Sequence, residues 1–220
     1  MSISDNLLYL KNQIPPEVKL IAVSKFRSAE VIMDAYHAGQ RVFGENKVKE
    51  LVSKQPLLPK DMEWHFIGHL QSNKVRYIAP FIHLIHSVDS LGLLQEINKE
   101  AVRHHRIIDV LFQFHIAKEE SKFGMKMDQC RSLLESDEFP SLQNVRVIGV
   151  MGMATFTPDE QIIRSEFNML RNYFHELKSG HFLNCADFHE ISMGMSGDYM
   201  IAIEQGSTMV RIGSAFFEDS

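Results

Sequence analysis

The sequence predicts a closed barrel of parallel strands in which each strand is followed by a helix. Short apolar runs rich in β-branched residues alternate with longer amphipathic segments along the whole chain. The short runs are continuously apolar, which is typical of parallel strands covered by helices. There are about eight of them, the number at which such a sheet closes into a barrel. We therefore expect an α/β chain whose residues 1–220 form a single domain, a (β/α)8 TIM barrel.

The strand candidates share an apolar, β-branched composition. They are residues 19–24, 41–44, 64–68, 84–88, 107–116, 145–150, 189–193 and 209–212. An open, doubly wound sheet is the alternative architecture. It usually carries a glycine-rich turn after its first strand, whereas Ser24, Lys25 and Phe26 follow the first run here. The closed barrel is therefore favoured.

Helix signals between the strands support this alternation. Ser28 and Ser90 are predicted to cap two helices, because a serine hydroxyl accepts a hydrogen bond from the first helical turn. The positions expected to be buried on these helices are Val31, Ile32, Ala35, Leu94, Ile97 and Ala101. Gly39 is expected to end the first of the two.

The clearest helix start is the run 157–160, Thr-Pro-Asp-Glu. Its pattern predicts a capping box with Thr157 as the cap and proline at the first helical position. The apolar positions that follow at helical spacing, up to Gly180, are Ile163, Phe167, Leu170, Phe174 and Leu177.

Composition excludes several classes of partner. The net charge is −5, so the chain as a whole does not attract nucleic-acid phosphates or anionic membranes. Cys130 and Cys185 are far apart and lie in no metal-binding or redox spacing. The first ten residues lack a signal sequence, and no run of 18 apolar residues occurs. We expect a cytoplasmic protein without nucleic-acid or membrane partners.

Function in such a barrel is expected where the strands end and the following loops begin. Lys25 follows the first strand, and Arg211 lies near the end of the last. A partly desolvated lysine could condense with an aldehyde, although a solvated surface lysine is the simpler interpretation of position alone. An arginine in a barrel mouth needs an acceptor, such as a pyridine nitrogen. Glycines and hydroxyls after strands seven and eight suit a phosphate. The pattern indicates a ligand that is a phosphorylated aldehyde.

Six runs of the sequence carry a resemblance to a known family. They are AVSK (22–25), FGEN (43–46), WHFIGHLQSNK (64–74), ESKFG (120–124), SMGMS (192–196) and VRIG (210–213). In this order they span nearly the whole chain. The chain resembles the pyridoxal phosphate homeostasis protein family.

The resemblance implies a fold, a cofactor and a set of site residues. The fold is a barrel similar to the N-terminal domain of alanine racemase, and the cofactor is pyridoxal 5'-phosphate (PLP), carried as a Schiff base on Lys25. Arg211 would face the pyridine nitrogen, and Asn46 would lie beside the ring. The implied phosphate contacts are Gly213 and Ser214 with Ser192 or Ser196.

The resemblance also implies a role without defined catalytic turnover. Such proteins carry PLP and keep vitamin B6 and amino-acid pools in balance, which points to PLP-dependent apoenzymes as recipients. The absence of a second domain favours a monomer. The alternative is a PLP-dependent amino-acid racemase. Racemisation needs an acid–base group on each face of the substrate carbon, and Lys25 serves only one. The barrel already uses all 220 residues, so the carrier is favoured.

Some positions depart from the family pattern. Ser214 and His115 stand where threonine and asparagine are common, and Gly-Val-Met at 149–151 replaces Gly-Leu-Met. The chain also ends without the usual basic residue.

His65 and His69 have a metal-like spacing, but no glutamate lies between them, so structural polar contacts are favoured over zinc.

Overall fold

The computed structural model describes residues 2–119 and 123–218 and confirms the predicted barrel. Eight parallel strands pair in chain order and close between the last and the first. They are β1 (Lys19–Val23), β2 (Val42–Glu45), β3 (Glu63–Phe66), β4 (Leu84–Val88), β5 (Ile108–Phe114), β6 (Val145–Gly152), β7 (Glu190–Met195) and β8 (Met209–Ile212). Residues 120–122 of the ESKFG motif and the terminal Asp219 and Ser220 lie outside the described residues.

Within the described ranges, nine α-helices precede, separate and follow these strands. They are α1 (Ile3–Gln13), α2 (Ala29–His37), α3 (Val48–Lys54), α4 (Val75–Ile78), α5 (Leu91–Arg103), α6 (Met127–Leu134), α7 (Glu160–Ser179), α8 (Tyr199–Glu204) and α9 (Ser214–Phe217). Ser28 caps α2 and Ser90 caps α5, as predicted. Of the positions expected to be buried on these two helices, Val31 is only half-buried and the others are buried.

Barrel closure places the first and last strands side by side. In β1, Lys19 lies level with Met209 of β8, and Ala22 lies level with Ile212. Outside the barrel, the buried Asn6 of α1 donates hydrogen bonds to the carbonyl oxygens of Phe216 and Glu218 at 3.2 and 3.0 Å. The helix before β1 is therefore tied to the helix after β8.

The described residues contain two separate apolar clusters. The larger one lies between the strands and the helices. The smaller one contains residues contributed almost entirely by strands, so it fills the barrel interior: Ile21, Leu84, Leu111, Ile148, Met151 and Met209. Because side chains alternate along a strand, the interior positions two residues further along β4 and β8 are His86 and Arg211. The barrel thus has an apolar floor and a polar mouth.

The start of α7 differs from the prediction. Asp159, not Thr157, is the N-cap, and its Oδ1 accepts hydrogen bonds from the N–H groups of Gln161 and Ile162 at 2.9 and 3.4 Å. Thr157 Oγ1 instead accepts from the Asp159 N–H at 3.2 Å, so Pro158 precedes the helix. A carboxylate accepts both N–H groups and also suits the positive end of the helix dipole, which explains why the cap moves. The five predicted apolar positions of α7 are all buried.

No helix in the described part of the chain is both long and apolar enough to cross a bilayer.

The cap assignment can be tested by substitution. Asp159→Ala should lower the free energy of unfolding by about 1 kcal/mol, because two N–H groups of the first turn lose their acceptor. Thr157→Ala, the matched control, should cost less because it removes one local turn bond. Urea unfolding followed by circular dichroism measures both. A larger loss for Thr157→Ala would contradict the assignment.

Candidate functional site

The predicted site residues gather at the carboxyl end of the barrel. Lys25 lies two residues after β1 and Asn46 directly follows β2. Ser196 follows β7, and Gly213 and Ser214 follow β8. Because parallel strands end at the same side of a barrel, these loops share one mouth. Ser192 and Arg211 lie deeper, within β7 and β8.

Arg211 places a positive charge inside the barrel. Its side chain is only 3% exposed, and burial lowers its pKa to about 10, with Asp198 acting in the opposite direction. The guanidinium stays protonated at neutral pH. It donates to Ser192 Oγ at 2.6 Å and to the carbonyl oxygen of Gly152 at 3.1 Å. A guanidinium has five N–H donors, so these two neutral oxygens leave donors for a ligand.

A hydrogen-bonded chain continues from Arg211 across the barrel. Ser192 Oγ lies 2.9 Å from His86 Nδ1, and His86 Nε2 lies 3.0 Å from His65 Nδ1. Since arginine can only donate, the Ser192 hydroxyl proton is directed to His86 Nδ1. His86 then carries its proton on Nε2 and donates it to His65. The chain of donors runs from β8 to β7, β4 and β3.

Both histidines of this chain are neutral. Burial lowers the pKa of His65 to about 3, with Lys19 and His83 adding smaller repulsive effects. Burial also holds the pKa of His86 well below its usual range, and the charge of Arg211 acts in the same direction. Neutral imidazoles add no second positive charge beside Arg211. Ser192 accepts from Arg211 and so orients the guanidinium.

The loops after β7 and β8 meet at Ser196. The Gly213 N–H donates to Ser196 Oγ at 3.2 Å, and Gly213 begins α9, where Ser214 is exposed. Of the two serines predicted for the phosphate, Ser196 is the one beside Gly213 and Ser214. Gly194 permits this arrangement: its φ is +95°, and a Cβ would meet the Ala202 Cβ at 2.6 Å.

Asn46 is held by a close approach of two backbones. A Cβ on Gly68 would lie 2.2 Å from the Asn46 carbonyl oxygen, so only glycine lets the loop after β3 pass here. The side-chain oxygen Oδ1 of Asn46 is buried, and no described residue donates a hydrogen bond to it. This oxygen can accept a hydrogen bond from a ligand.

The exposure of Lys25 decides between two interpretations that the sequence left open. The residue is not partly desolvated but exposed in the turn after β1. Strand β1 ends at Val23, so Lys25 lies two residues beyond its last residue, after the buried Ser24. Lys25 is therefore exposed beyond the end of β1, while Arg211 is buried within β8.

The histidines singled out for their spacing have separate surroundings. His65 belongs to the buried chain, whereas His69 stacks on Phe123 with ring centroids 4.0 Å apart and lies 3.8 Å from an Asp89 oxygen. In the described ranges, no group of three or more His, Cys, Asp or Glu side chains could hold a metal ion.

Sequence reasoning missed three residues of this region. His86 was overlooked inside a run of strand residues, although a polar residue at an interior alternating position was a usable signal. Lys54 and the side chain of Glu45 pair behind the Lys25 turn at 2.8 Å. Nothing in their spacing marks that pair, because it depends on how α3 packs against the barrel.

Comparison with known proteins decides the family. The model of the alanine racemase N-terminal domain family matches residues 1–220. A pyridoxal phosphate homeostasis protein from Aquifex aeolicus is 40% identical over 200 residues, which cover 90% of this chain and 86% of the relative. The chain belongs to the pyridoxal phosphate homeostasis protein family. A family member from Escherichia coli is 37% identical over 210 residues, covering 92% of this chain and 86% of the relative.

Solved structures confirm the barrel type. PipY of Synechococcus elongatus without PLP superposes with a TM-score of 0.91 at 35% identity, covering 98% of this chain and all of that one. PipY with PLP bound gives 0.87 at 36% identity with the same coverage. Alanine racemase from Clostridium difficile gives 0.78 at 14% identity and shares the fold alone; this chain covers 60% of it. The resemblances to the homeostasis family and to the racemase barrel are confirmed.

The neutral state of the buried histidines has a pH consequence. The unfolded chain binds a proton at His65 near its ordinary pKa of 6.5, but the folded chain does so only near 3. The contribution of His65 to stability is therefore fully present above pH 6.5 and should fall by up to about 1.4 kcal/mol per pH unit between pH 6.5 and 3. His65→Asn should show a shallower slope between pH 6.5 and 4 in urea unfolding. An equal slope would contradict the buried neutral imidazole.

Proposed function

We propose that this chain binds pyridoxal 5'-phosphate covalently and reversibly at Lys25 and acts in the cytoplasm in PLP homeostasis, without defined catalytic turnover. One observation carries the proposal. The buried, protonated Arg211 lies inside the same barrel mouth that has Lys25 at its rim. Family membership supports it, as does the PipY structure with PLP bound.

The residues present fit the chemical groups of this cofactor. Arg211 offers N–H donors to an aromatic nitrogen deep in the mouth. At the side of the mouth, the Asn46 amide oxygen can accept a hydrogen bond from the ligand. Ser196, Gly213 and Ser214 present a hydroxyl and the first N–H groups of α9 to a phosphate. Ser192 has a supporting part, because it holds the guanidinium in place.

Lys25 completes the set with a primary amine. When bound, PLP supplies an aldehyde that a primary amine attacks, and the aldehyde oxygen leaves as water. The exposed position of Lys25 leaves its amine accessible to an incoming aldehyde and to the water that reverses the condensation. Reversibility suits a protein that has to give its cofactor up again.

Arg211 also favours a carrier over a racemase. Since its pKa of about 10 keeps the guanidinium charged, Arg211 can donate a hydrogen bond to a ring nitrogen but does not give its proton up to it. The ring nitrogen then stays unprotonated and the ring withdraws electrons weakly. Lys25 serves one face of a substrate carbon, whereas racemisation needs a group on each face. These two conditions disfavour proton abstraction from a bound amino acid.

The proposal extends to the partners of the chain. We propose that the barrel formed by residues 1–220 is one functional domain, that it acts as a monomer, and that PLP-dependent apoenzymes receive the cofactor from it. The open position of Lys25 at the mouth supports transfer, because neither the amine nor the phosphate loops are buried beneath other described elements.

Covalent attachment at Lys25 is tested by reduction with borohydride and peptide mass mapping. Protein loaded with PLP should carry the reduced cofactor on Lys25, and Lys25→Ala should lose both this label and the visible absorption band. Lys99→Ala is the matched control, since Lys99 points outward from α5 with its side chain 70% exposed. A visible band that persists in Lys25→Ala would refute the assignment.

The racemase alternative is tested by turnover. The loaded protein is incubated with each L-amino acid, and the enantiomers are separated on a chiral column. We expect no D-amino acid beyond one equivalent of protein, because Lys25 has no assigned partner on the opposite face. Multiple-turnover formation of a D-amino acid, abolished by Lys25→Ala, would establish the racemase instead.

A further inference from the structure

The side chain of Lys54 is a buried cation next to the turn that carries Lys25, and it is not one of the proposed PLP contacts. Lys54, the last residue of α3, has a side chain only 11% exposed. Its ammonium group donates three hydrogen bonds: to the Ser24 carbonyl oxygen at 3.0 Å, to Glu45 Oε1 at 2.8 Å and to Glu50 Oε2 at 3.0 Å. All three N–H donors of the lysine are therefore used.

The residues on both sides of Lys25 in the chain are hydrogen-bonded to Lys54 or to its acceptors. Ser24 precedes Lys25, and its hydroxyl also donates to Glu45 Oε1 at 2.7 Å. Phe26 follows Lys25, and its N–H donates to Glu50 Oε2 at 2.9 Å. The backbone before and after the proposed cofactor lysine is thus bonded to one cluster, formed by Lys54, Glu45 and Glu50.

The turn has a conformation that needs such support. Phe26 has φ of +63°, a left-handed conformation that is unfavourable for a bulky residue. Its ring is 70% exposed and lies 4.8 Å from the Lys47 ammonium group, so packing contributes little to holding it. Two hydrogen bonds hold this backbone: the Arg27 N–H donates to the Ser24 carbonyl oxygen at 3.1 Å, and the Phe26 N–H donates to Glu50.

Stability alone does not explain the cluster. Glu45 is fully buried, burial raises the pKa of its carboxyl, and its Oε2 has no hydrogen-bond partner among the described residues. Removing charges from water costs about as much as such a pair returns, so buried ion pairs stabilise folds weakly. They do fix geometry, because each bond has a direction.

We propose that Lys54, with Glu45 and Glu50, is a positioning cluster that fixes the direction in which Lys25 enters the barrel mouth. The inference rests on the proposed function of Lys25 as the cofactor lysine. A turn held in one conformation reduces the entropy lost when the amine bonds to the aldehyde. Without the ammonium group of Lys54, the turn samples other directions and the covalent bond forms more slowly and less completely.

The test compares Lys54→Met with Lys49→Met. Methionine keeps the apolar stem and removes the ammonium group, and Lys49 is an exposed lysine on the same helix. With PLP as the probe, Lys54→Met should raise the apparent Kd for covalent binding about tenfold and slow the appearance of the visible band, while Lys49→Met changes neither. Mass mapping after borohydride reduction checks that the label remains on Lys25.

A second pair of variants separates positioning from general damage. In a Lys25→Ala background only non-covalent PLP binding remains, and adding Lys54→Met should leave that affinity unchanged. Glu50→Gln keeps an oxygen for the Phe26 N–H but removes the charge, so it should give a smaller loss of the same kind. It also provides the measurement if Lys54→Met does not fold by circular dichroism.

The outcomes distinguish the two proposals. If the wild-type chain is not labelled at Lys25, the proposed function fails and this inference fails with it. If Lys25 is labelled but folded Lys54→Met and Glu50→Gln bind PLP with unchanged rate and affinity, only the positioning role is overturned. An equal loss of affinity in the Lys25→Ala background would also overturn it, because the effect would not pass through Lys25.

Discussion

The guanidinium of Arg211 lies in the interior of the barrel, and much of the mouth is arranged around its charge. A buried cation is costly unless its donors have acceptors. Here the acceptors seen are a serine hydroxyl and a backbone carbonyl, both neutral. A carboxylate bound directly to the guanidinium would neutralise it, whereas neutral acceptors orient the group and leave its charge available. This arrangement suits an arginine that donates to a ligand without giving up its proton.

Two independent sets of contacts orient the two ends of the proposed site. Inside the barrel, Ser192 and the neutral histidines His86 and His65 form a chain that ends on the guanidinium. Outside the barrel wall, Lys54 and its two glutamates hold the turn that carries Lys25. The loops that follow β1 and β8 are short, so the distance between the amine and the guanidinium depends on these two strands, which are hydrogen-bonded neighbours.

Some predictions followed from local patterns and others did not. The strands were found because continuous apolar, β-branched runs are local properties of the chain, and the buried stripe of α7 was found because a spacing of 3.6 residues is local too. The cap of α7 was misplaced by two residues, because Thr157 and Asp159 are both good caps and only the geometry of the turn selects between them. The sequence left open whether Lys25 is solvated or partly desolvated, because exposure depends on where β1 ends relative to its neighbours.

The sequence by itself determined the alternation of strands and helices, hence the barrel, and the gathering of Lys25, Asn46 and the glycine and serine loops at one end. These follow from patterns within a few residues and from the common direction of parallel strands. Only the tertiary structure decided that Ser192 pairs with His86, 106 positions away, and that Lys54 reaches Ser24 across 30 positions. Such contacts depend on how far each strand is staggered and how each helix is rotated. The spacing of residues in the sequence indicates neither.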